Sequence, residues 1–342
     1  MNKQQRDFFK TFSEHGTGDA KVCISPREVL VLLYITTTDL DILCPKMKNH
    51  FFQKVSEKGF YNISHADIEN LPIITDDECL SQMERCGVTN YNNASYLYMK
   101  NLCALYRRRV KYYQILKNQS FPNTEQIVPR SLLEYGNCEN QLLADWLEWR
   151  KWIFDIDNRS AQETGYIFEP ILASCLGGEP MSSSNSPVKR IAENGKPTNN
   201  GRQIDCYIAE TKEVYELKMR VSIAASGQGR FNEEMTFPYE AQMAGLKPIL
   251  VVFDGNESEL LKKLKTKYEE CGGNSYIGDD AWQMLQDRAG QEMGIFINKY
   301  IYPPISSMDI CLNGHPREVK LSNQDSRIII SGETSEYIID RN

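Results

Sequence analysis

The chain has 342 residues, of which 41% are hydrophobic and 25% charged. That is an ordinary globular balance, enough for one large domain or two smaller ones with a sizeable core. A formal net charge of −7 excludes a chain that coats nucleic acid by bulk charge, but not one with a local basic face.

The opening Met-Asn-Lys-Gln-Gln-Arg-Asp has neither the basic nor the apolar region of a signal peptide, and no apolar run is long enough to span a bilayer. A cytoplasmic protein with no membrane partner is therefore expected. Ten cysteines are scattered singly from Cys23 to Cys311, and the four histidines lie far apart. Reduced, mostly buried thiols are expected. No local spacing supports a zinc site, although one built from distant ligands stays open. So few histidines also speak against a histidine-based nuclease site.

Residues 1–140 read as a mainly helical N-terminal region. Ser25-Pro26 starts a helix over Arg27–Leu33, and Ala94–Lys117 has helical patterning. Within the latter, Arg107-Arg108-Arg109, Lys111 and Lys117 alternate with Tyr106, Tyr112 and Tyr113. Such a cluster suits recognition or clamping of a nucleic acid, and equally a solvated face. Asn, Asp, Pro and Gly mark loops around 60–93 and 118–140.

From residue 141 the pattern tightens. Leu142, Leu143, Trp146, Leu147, Trp149, Trp152, Ile153 and Phe154 suit a largely buried helix. A second helix follows, with Ile167, Phe168, Ile171, Leu172, Cys175 and Leu176 on one face and Gly177-Gly178 as its stop. Glu169 sits close to that apolar stripe, either as a boundary residue reaching water or as a site acid. Residues 181–202 form a polar loop or short edge structure that carries Lys189, Arg190 and Arg202.

The stretch Gln203–Val221 reads as a hairpin with period two. Ile204, Cys206 and Ile208 point to one face, and Asp205 and Tyr207 to the other. In the second strand Tyr215, Leu217, Met219 and Val221 face the core, while Glu216, Lys218 and Arg220 share the opposite side, with Glu210–Glu213 as the turn. Ser226-Gly-Gln-Gly-Arg230 follows; it lacks the Gly-Lys-Ser/Thr ending of a nucleotide loop. It is either a tight turn before a helix or an approach to DNA, in which Gln228, Arg230 and Asn232 carry donors and acceptors for base edges or phosphates. Glu233 and Glu234 read as helix-start acids or site residues.

Phe231–Gly245 is expected as a helix, or a helix pair broken near Pro238, and Lys247–Asp254 as a strand buried on both faces. Helices over Glu257–Cys271 and Asp279–Tyr300 and three short β-like runs after Glu318 complete the chain. The order helix, hairpin, helix, buried strand, helix gives an α/β fold: a mixed central sheet flanked by helices over 141–342, behind the helical region 1–140.

Two carboxylates and an ammonium at the rim of a sheet suit metal-dependent phosphodiester cleavage. Magnesium takes a few carboxylate oxygens, a backbone carbonyl and retained waters. Asp205 and Glu216 would be the carboxylates and Leu217 the carbonyl donor, with Glu169 adding a further contact. Lys218 would position or help deprotonate a water and offset phosphate charge. The same pattern also occurs on structural hairpins, so its context matters.

Gly165-Tyr-Ile-Phe-Glu169, Gln203-Ile-Asp205, Glu216-Leu-Lys218 and Pro248-Ile-Leu-Val-Val-Phe-Asp254 resemble the core of the PD-(D/E)xK nucleases over roughly residues 140–300. Ile204 stands where the family name has proline. Size and layout resemble a type II restriction endonuclease. Arg220–Glu234 and Gly278-Asp-Asp-Ala-Trp282 are similar to ApaLI-type enzymes.

The resemblance implies Asp205, Glu216, Lys218 and Glu169 as catalytic residues and Mg2+ as cofactor. It also implies a short, palindromic site in double-stranded DNA, a homodimer, and a companion DNA methyltransferase acting on the same site. Lys189, Arg190, Arg202, Arg220, Gln228, Arg230, Asn232 and Arg107–Arg109 would contact DNA. A repair or mobile-element nuclease of the same fold, or a non-catalytic DNA-binding protein, are the alternatives.

Overall fold

The computed structural model describes residues 1–16, 21–43, 50–89, 93–136, 140–192, 194–219, 228–256, 258–304 and 318–341. Among the described residues the α-helices that come first are Lys3–Ser13 (α1), Pro26–Asp39 (α2), His50–Ser56 (α3), His65–Glu69 (α4), Asp76–Arg85 (α5), Ala94–Asn118 (α6), Thr124–Tyr135 (α7) and Gln141–Cys175 (α8). Short strands Glu14–His15 (β1) and Val22–Cys23 (β2) pair between α1 and α2. Helix starts follow capping chemistry. Asn2, Ser25, Ser64, Thr75 and Asn123 each accept the N–H three residues on, and the side chain there answers back.

The strands that matter for function are Glu179–Met181 (β3), Lys189–Ile191 (β4), Pro197–Gly201 (β5), Ile204–Ile208 (β6), Glu213–Lys218 (β7), Lys247–Val252 (β8) and Asn274–Ile277 (β9). Between and after them lie Gln228–Met243 (α9), Glu259–Glu270 (α10), Asp279–Arg288 (α11) and Gln291–Phe296 (α12). The central sheet has the order β3–β6–β7–β8–β9, antiparallel across β3–β6–β7 and parallel across β7–β8–β9. A meander of Lys320–Gln324 (β10), Arg327–Ser331 (β11) and Glu336–Asp340 (β12) ends the chain. The fold is α/β with a mainly helical N-terminal region. Among the described residues no helix is long and apolar enough to cross a membrane.

The sheet is buried on both faces. Cys206, Tyr215, Leu217, Ile249 and Val251 join a core that runs from Phe8 of α1 through α2, α6 and α8 to Ile301. Val214, Leu250 and Val252 face a second core with Phe237 of α9 and Leu261, Leu264 and Tyr268 of α10. The hairpin therefore has no polar face along its length. Because α9 and α10 cover its second side, polar groups are confined to the strand ends.

Three expectations about elements are corrected. A single 35-residue helix, α8, replaces two. Gly165 and Pro170 lie within it, tolerated because its flanks are packed. Leu142, Trp146, Ile153 and Phe154 on its first half are exposed, not buried. Of the two readings of Phe231–Gly245 the single helix holds, since α9 runs unbroken past Pro238. Residues 279–300 instead form α11, α12 and a π-helical turn at Ile297–Ile301, with Gly290 capping the second piece. The cysteines also depart in one respect: Cys23, Cys79, Cys103, Cys175, Cys206 and Cys271 are free thiols, but Cys86 is disulfide-bonded, a pairing no local spacing announces.

Candidate active site

Strands β6 and β7 pair with Cys206 opposite Tyr215, Tyr207 opposite Val214 and Ile208 opposite Glu213, around a turn at residues 209–212 in which Lys212 takes a positive φ of 56°. The ladder ends at the Cys206–Tyr215 pair, and beyond it Asp205 Oδ2 accepts the N–H of Leu217 at 2.9 Å. Asp205 and Glu216 thus emerge at the C-terminal end of β7, where open α/β sheets place ligand sites. Lys218 follows at the strand's last residue, beside Val252 of β8.

The charges converge. Lys218 Nζ lies 2.6 Å from Glu216 Oε1 and 3.3 Å from Glu234 Oε1, which α9 supplies. Burial pushes the Asp205 carboxyl well up, and the negative charges of Glu216 and Glu169 push it further; Lys218 and the Leu217 N–H only partly oppose them. Glu169, carried by α8, is likewise raised, first by burial and then by Glu216. Burial alone would lower the Lys218 ammonium's pKa, yet Glu216, Glu234 and Asp205 outweigh it and hold the group above its ordinary value. Lys218 is therefore a fixed cation among acids.

Two close approaches position Glu169. A side chain at Gly178, where α8 gives way to β3, would collide with Cys206 Sγ and the Tyr207 carbonyl. Glycine there lets the helix end abut β6. One turn before Glu169, a Cβ on Gly165 would lie 2.9 Å from Glu169 Oε1, so the carboxylate folds back over the glycine.

A cavity of about 360 Å³ opens on the site, lined among others by Arg190, Arg202, Glu216, Lys218, Glu233 and Glu234. Its outer wall is the β4–β5 hairpin. Lys189 holds that hairpin's register opposite Gly201, and Arg190 pairs with Glu233 at 3.1 Å. Arg202 is not presented to solvent: it is 7% exposed and pairs with the buried Glu240. Its Nη2 also donates to the Glu233 carbonyl and to Thr236 Oγ1, both at 2.6 Å. Glu240 in turn accepts the Ile191 N–H at 3.0 Å. The Glu233 carbonyl also accepts the Thr236 hydroxyl at 2.8 Å, so Arg202 and Thr236 meet on the same turn of α9.

The Arg107–Arg109 cluster does not line this cavity. Buried Arg107 donates to the Phe12 carbonyl, Arg108 to the Ser160 carbonyl at 3.3 Å, and Arg109 to the Phe60 carbonyl at 2.8 Å. Arg109 also lies over the Phe60 ring, 5.5 Å from its centroid. These contacts lock α6 to α1, to α8 and to the 60–61 segment. Asn232 is exposed on α9. The backbone of Gln228 and Arg230 belongs to α9, and Arg220 lies outside the described residues.

Sequence reasoning misses Glu240 and does not decide the role of Glu234. The available signal is spacing: Glu233, Phe237 and Glu240 share one face of α9, so an acid sits within a buried stripe and requires a cationic partner.

The donor set of Asp205, Glu216 and Glu169 is oxygen only, which fits a hard divalent cation. The crowding that raises two of these carboxyls is what such a cation would relieve. Among the described residues no group of three or more His, Cys, Asp or Glu side chains is placed to hold a metal ion by itself.

Residues 54–302 match the family model of the ApaLI-like restriction endonucleases. Over 242 residues the chain is 46% identical to the type II restriction enzyme ApaLI of Acetobacter pasteurianus, a match covering 69% of this chain and 64% of that protein. No solved structure matches. The acid–lysine cluster lies within the matched span, and the chain belongs to the ApaLI-like restriction endonuclease family.

Proposed function

We propose that the protein is a magnesium-dependent type II restriction endonuclease that hydrolyses both strands of duplex DNA at a short palindromic sequence. The observation that carries this reading is that Asp205 accepts the Leu217 N–H at 2.9 Å while Lys218 Nζ lies 2.6 Å from Glu216, which gathers the three at one end of a sheet. Family membership supports it.

Asp205 and Glu216, with the Leu217 carbonyl, would hold the cation, and Glu169 would add a second-line carboxylate. A bound divalent ion supplies charge neutralisation on the phosphate and activation of water. Lys218, kept charged by its acidic neighbours, neutralises phosphate charge and orients the water rather than accepting its proton. Arg190 and Lys189 stand at the cavity mouth and β4, where duplex phosphates would pass; Arg220, Gln228, Arg230 and Asn232 follow the catalytic strand and would reach the grooves. Two copies on a two-fold axis would serve the two strands, and a methyltransferase of the same specificity would protect host DNA.

The test is digestion of DNA of known sequence with and without magnesium, with the ends mapped. Discrete fragments sharing one sequence at their ends are expected, and structure-dependent nicking would point instead to a repair nuclease. Independently of cleavage, magnesium at ten times its dissociation constant should stabilise the fold by about 1.4 kcal/mol, an effect absent in Glu216→Gln.

A further inference from the structure

Two neighbouring helices carry apolar side chains on their outer surface. On α7, Val128, Leu132 and Tyr135 recur at i, i+4 and i+7; on α8, Leu142, Trp146 and Ile153 recur at i, i+4 and i+11. All six are exposed, Leu142 at 76%, Leu132 at 60% and Trp146 at 52%. These are not the fringes of an inner face. Ile127 and Ser131 of α7 are already buried, as are Leu147, Trp152 and Ile156 of α8, the last two against Ile115 and Leu116 of α6. Glu134 clamps the pair together, accepting both Arg150 Nη groups at 2.7 Å and Arg130 Nε at 2.7 Å.

We infer that this face is where a second copy of the chain docks. Half-exposed side chains of these sizes present on the order of 100 Å² each. With flanking Leu133 and Phe154, they approach the ~800 Å² that each partner contributes to a standard interface. Patches of that size seldom stay uncovered on a lone soluble chain.

The charge pattern selects the partner's chemistry. Acids outnumber bases on α7 and on residues 141–156 of α8, and the Arg130 and Arg150 guanidiniums are held by Glu134. Duplex DNA and anionic lipid would be repelled, whereas a second apolar helix face would not. Spacing near seven residues is how one helix packs along another, and a self-complementary face gives a closed two-fold pair. The choice of a copy over another protein rests on the nuclease reading, in which one site per chain must serve two strands.

Sedimentation velocity of the full chain without DNA tests the surface directly. A wild-type dimer at micromolar concentration is expected. Trp146→Glu and Leu132→Glu should weaken association at least tenfold with an unchanged melting temperature, while Trp146→Phe keeps the dimer. If a glutamate variant unfolds, the milder Leu142→Gln at the start of α8 decides the matter instead. A monomeric wild-type chain overturns the inference, whether or not it binds phosphatidylcholine vesicles, and so do folded variants that remain dimeric. A dimer that does not cut DNA would leave the docking face standing and remove the nuclease reading; a monomer that cuts would do the reverse.

Discussion

Asp205 closes the hairpin ladder with its own side chain, taking the Leu217 N–H at 2.9 Å where a strand carbonyl would ordinarily serve. One residue thus holds both a structural bond and a crowded negative charge, and two substitutions separate them. Asp205→Asn keeps an acceptor for Leu217 and removes the charge, so its melting temperature should equal or exceed that of the wild type. Asp205→Ala leaves a buried N–H without its partner and should cost about 1–3 kcal/mol. Both should lose DNA cleavage by at least a hundredfold; thermal unfolding beside plasmid cleavage reads the two effects apart.

Lys218 is shared between Glu216 at 2.6 Å and Glu234 at 3.3 Å. Lys218→Met should abolish measurable cleavage while sequence-specific binding in a gel-shift assay persists. Glu234→Gln keeps the shape of the site and removes one of the two carboxylates that hold the ammonium. A fall in kcat of about tenfold with KM little changed is expected, since a single oriented hydrogen bond is at stake. A change confined to KM would place Glu234 on the DNA-binding side instead.

Arg202 and Glu240 form a buried ion pair that fastens the β4–β5 hairpin to α9. Removing one partner strands the other, so Arg202→Met and Glu240→Leu should each destabilise the fold by about 3–5 kcal/mol. The double variant should recover much of that loss, because two apolar groups need no pairing. Denaturant unfolding of all four proteins as a double-mutant cycle checks this, and additive losses would show that the two residues act separately.

Glu213 binds Arg288 of α11 at 2.6 Å and accepts the Tyr215 and Thr211 hydroxyls at 2.8 and 2.9 Å. Burial pushes its carboxyl up, but hydrogen bonds from Arg288, Tyr215 and Thr211 outweigh that and hold it below the usual glutamate range. A lowered carboxyl contributes stability that is present above its unfolded pKa and lost as pH falls through the folded one. The wild type should therefore lose more melting temperature than Glu213→Gln between about pH 5 and pH 3. Parallel slopes in the two proteins would remove this pair from the acid response.

The parts of the site that a local period can encode are legible in the chain itself. Glu216 and Lys218 share a face because strands alternate, and Lys247–Val252 is an unbroken apolar run that the structure buries in the sheet. Arg202 differs, since its partner Glu240 lies on another element and nothing in the sequence joins them. The Arg107–Arg109 triplet reads as a basic surface, yet its partners are carbonyls of Phe12, Ser160 and Phe60, contacts that exist only after folding. Leu142 and Trp146 read as core because periodicity reports that a helix face is apolar and says nothing about what lies against it.

Helix α8 carries the exposed Leu142 and Trp146 near one end and Glu169 near the other, along 35 unbroken residues. At 1.5 Å per residue this is a rod of about 50 Å, and its rotational phase is fixed along its whole length. One residue inserted near Asn158 would turn Trp146 about 100° around the axis relative to Glu169, and two would turn it about 200°. The spacing between these positions is therefore a gear ratio: in the proposed dimer it would set the angle at which each active site faces its substrate.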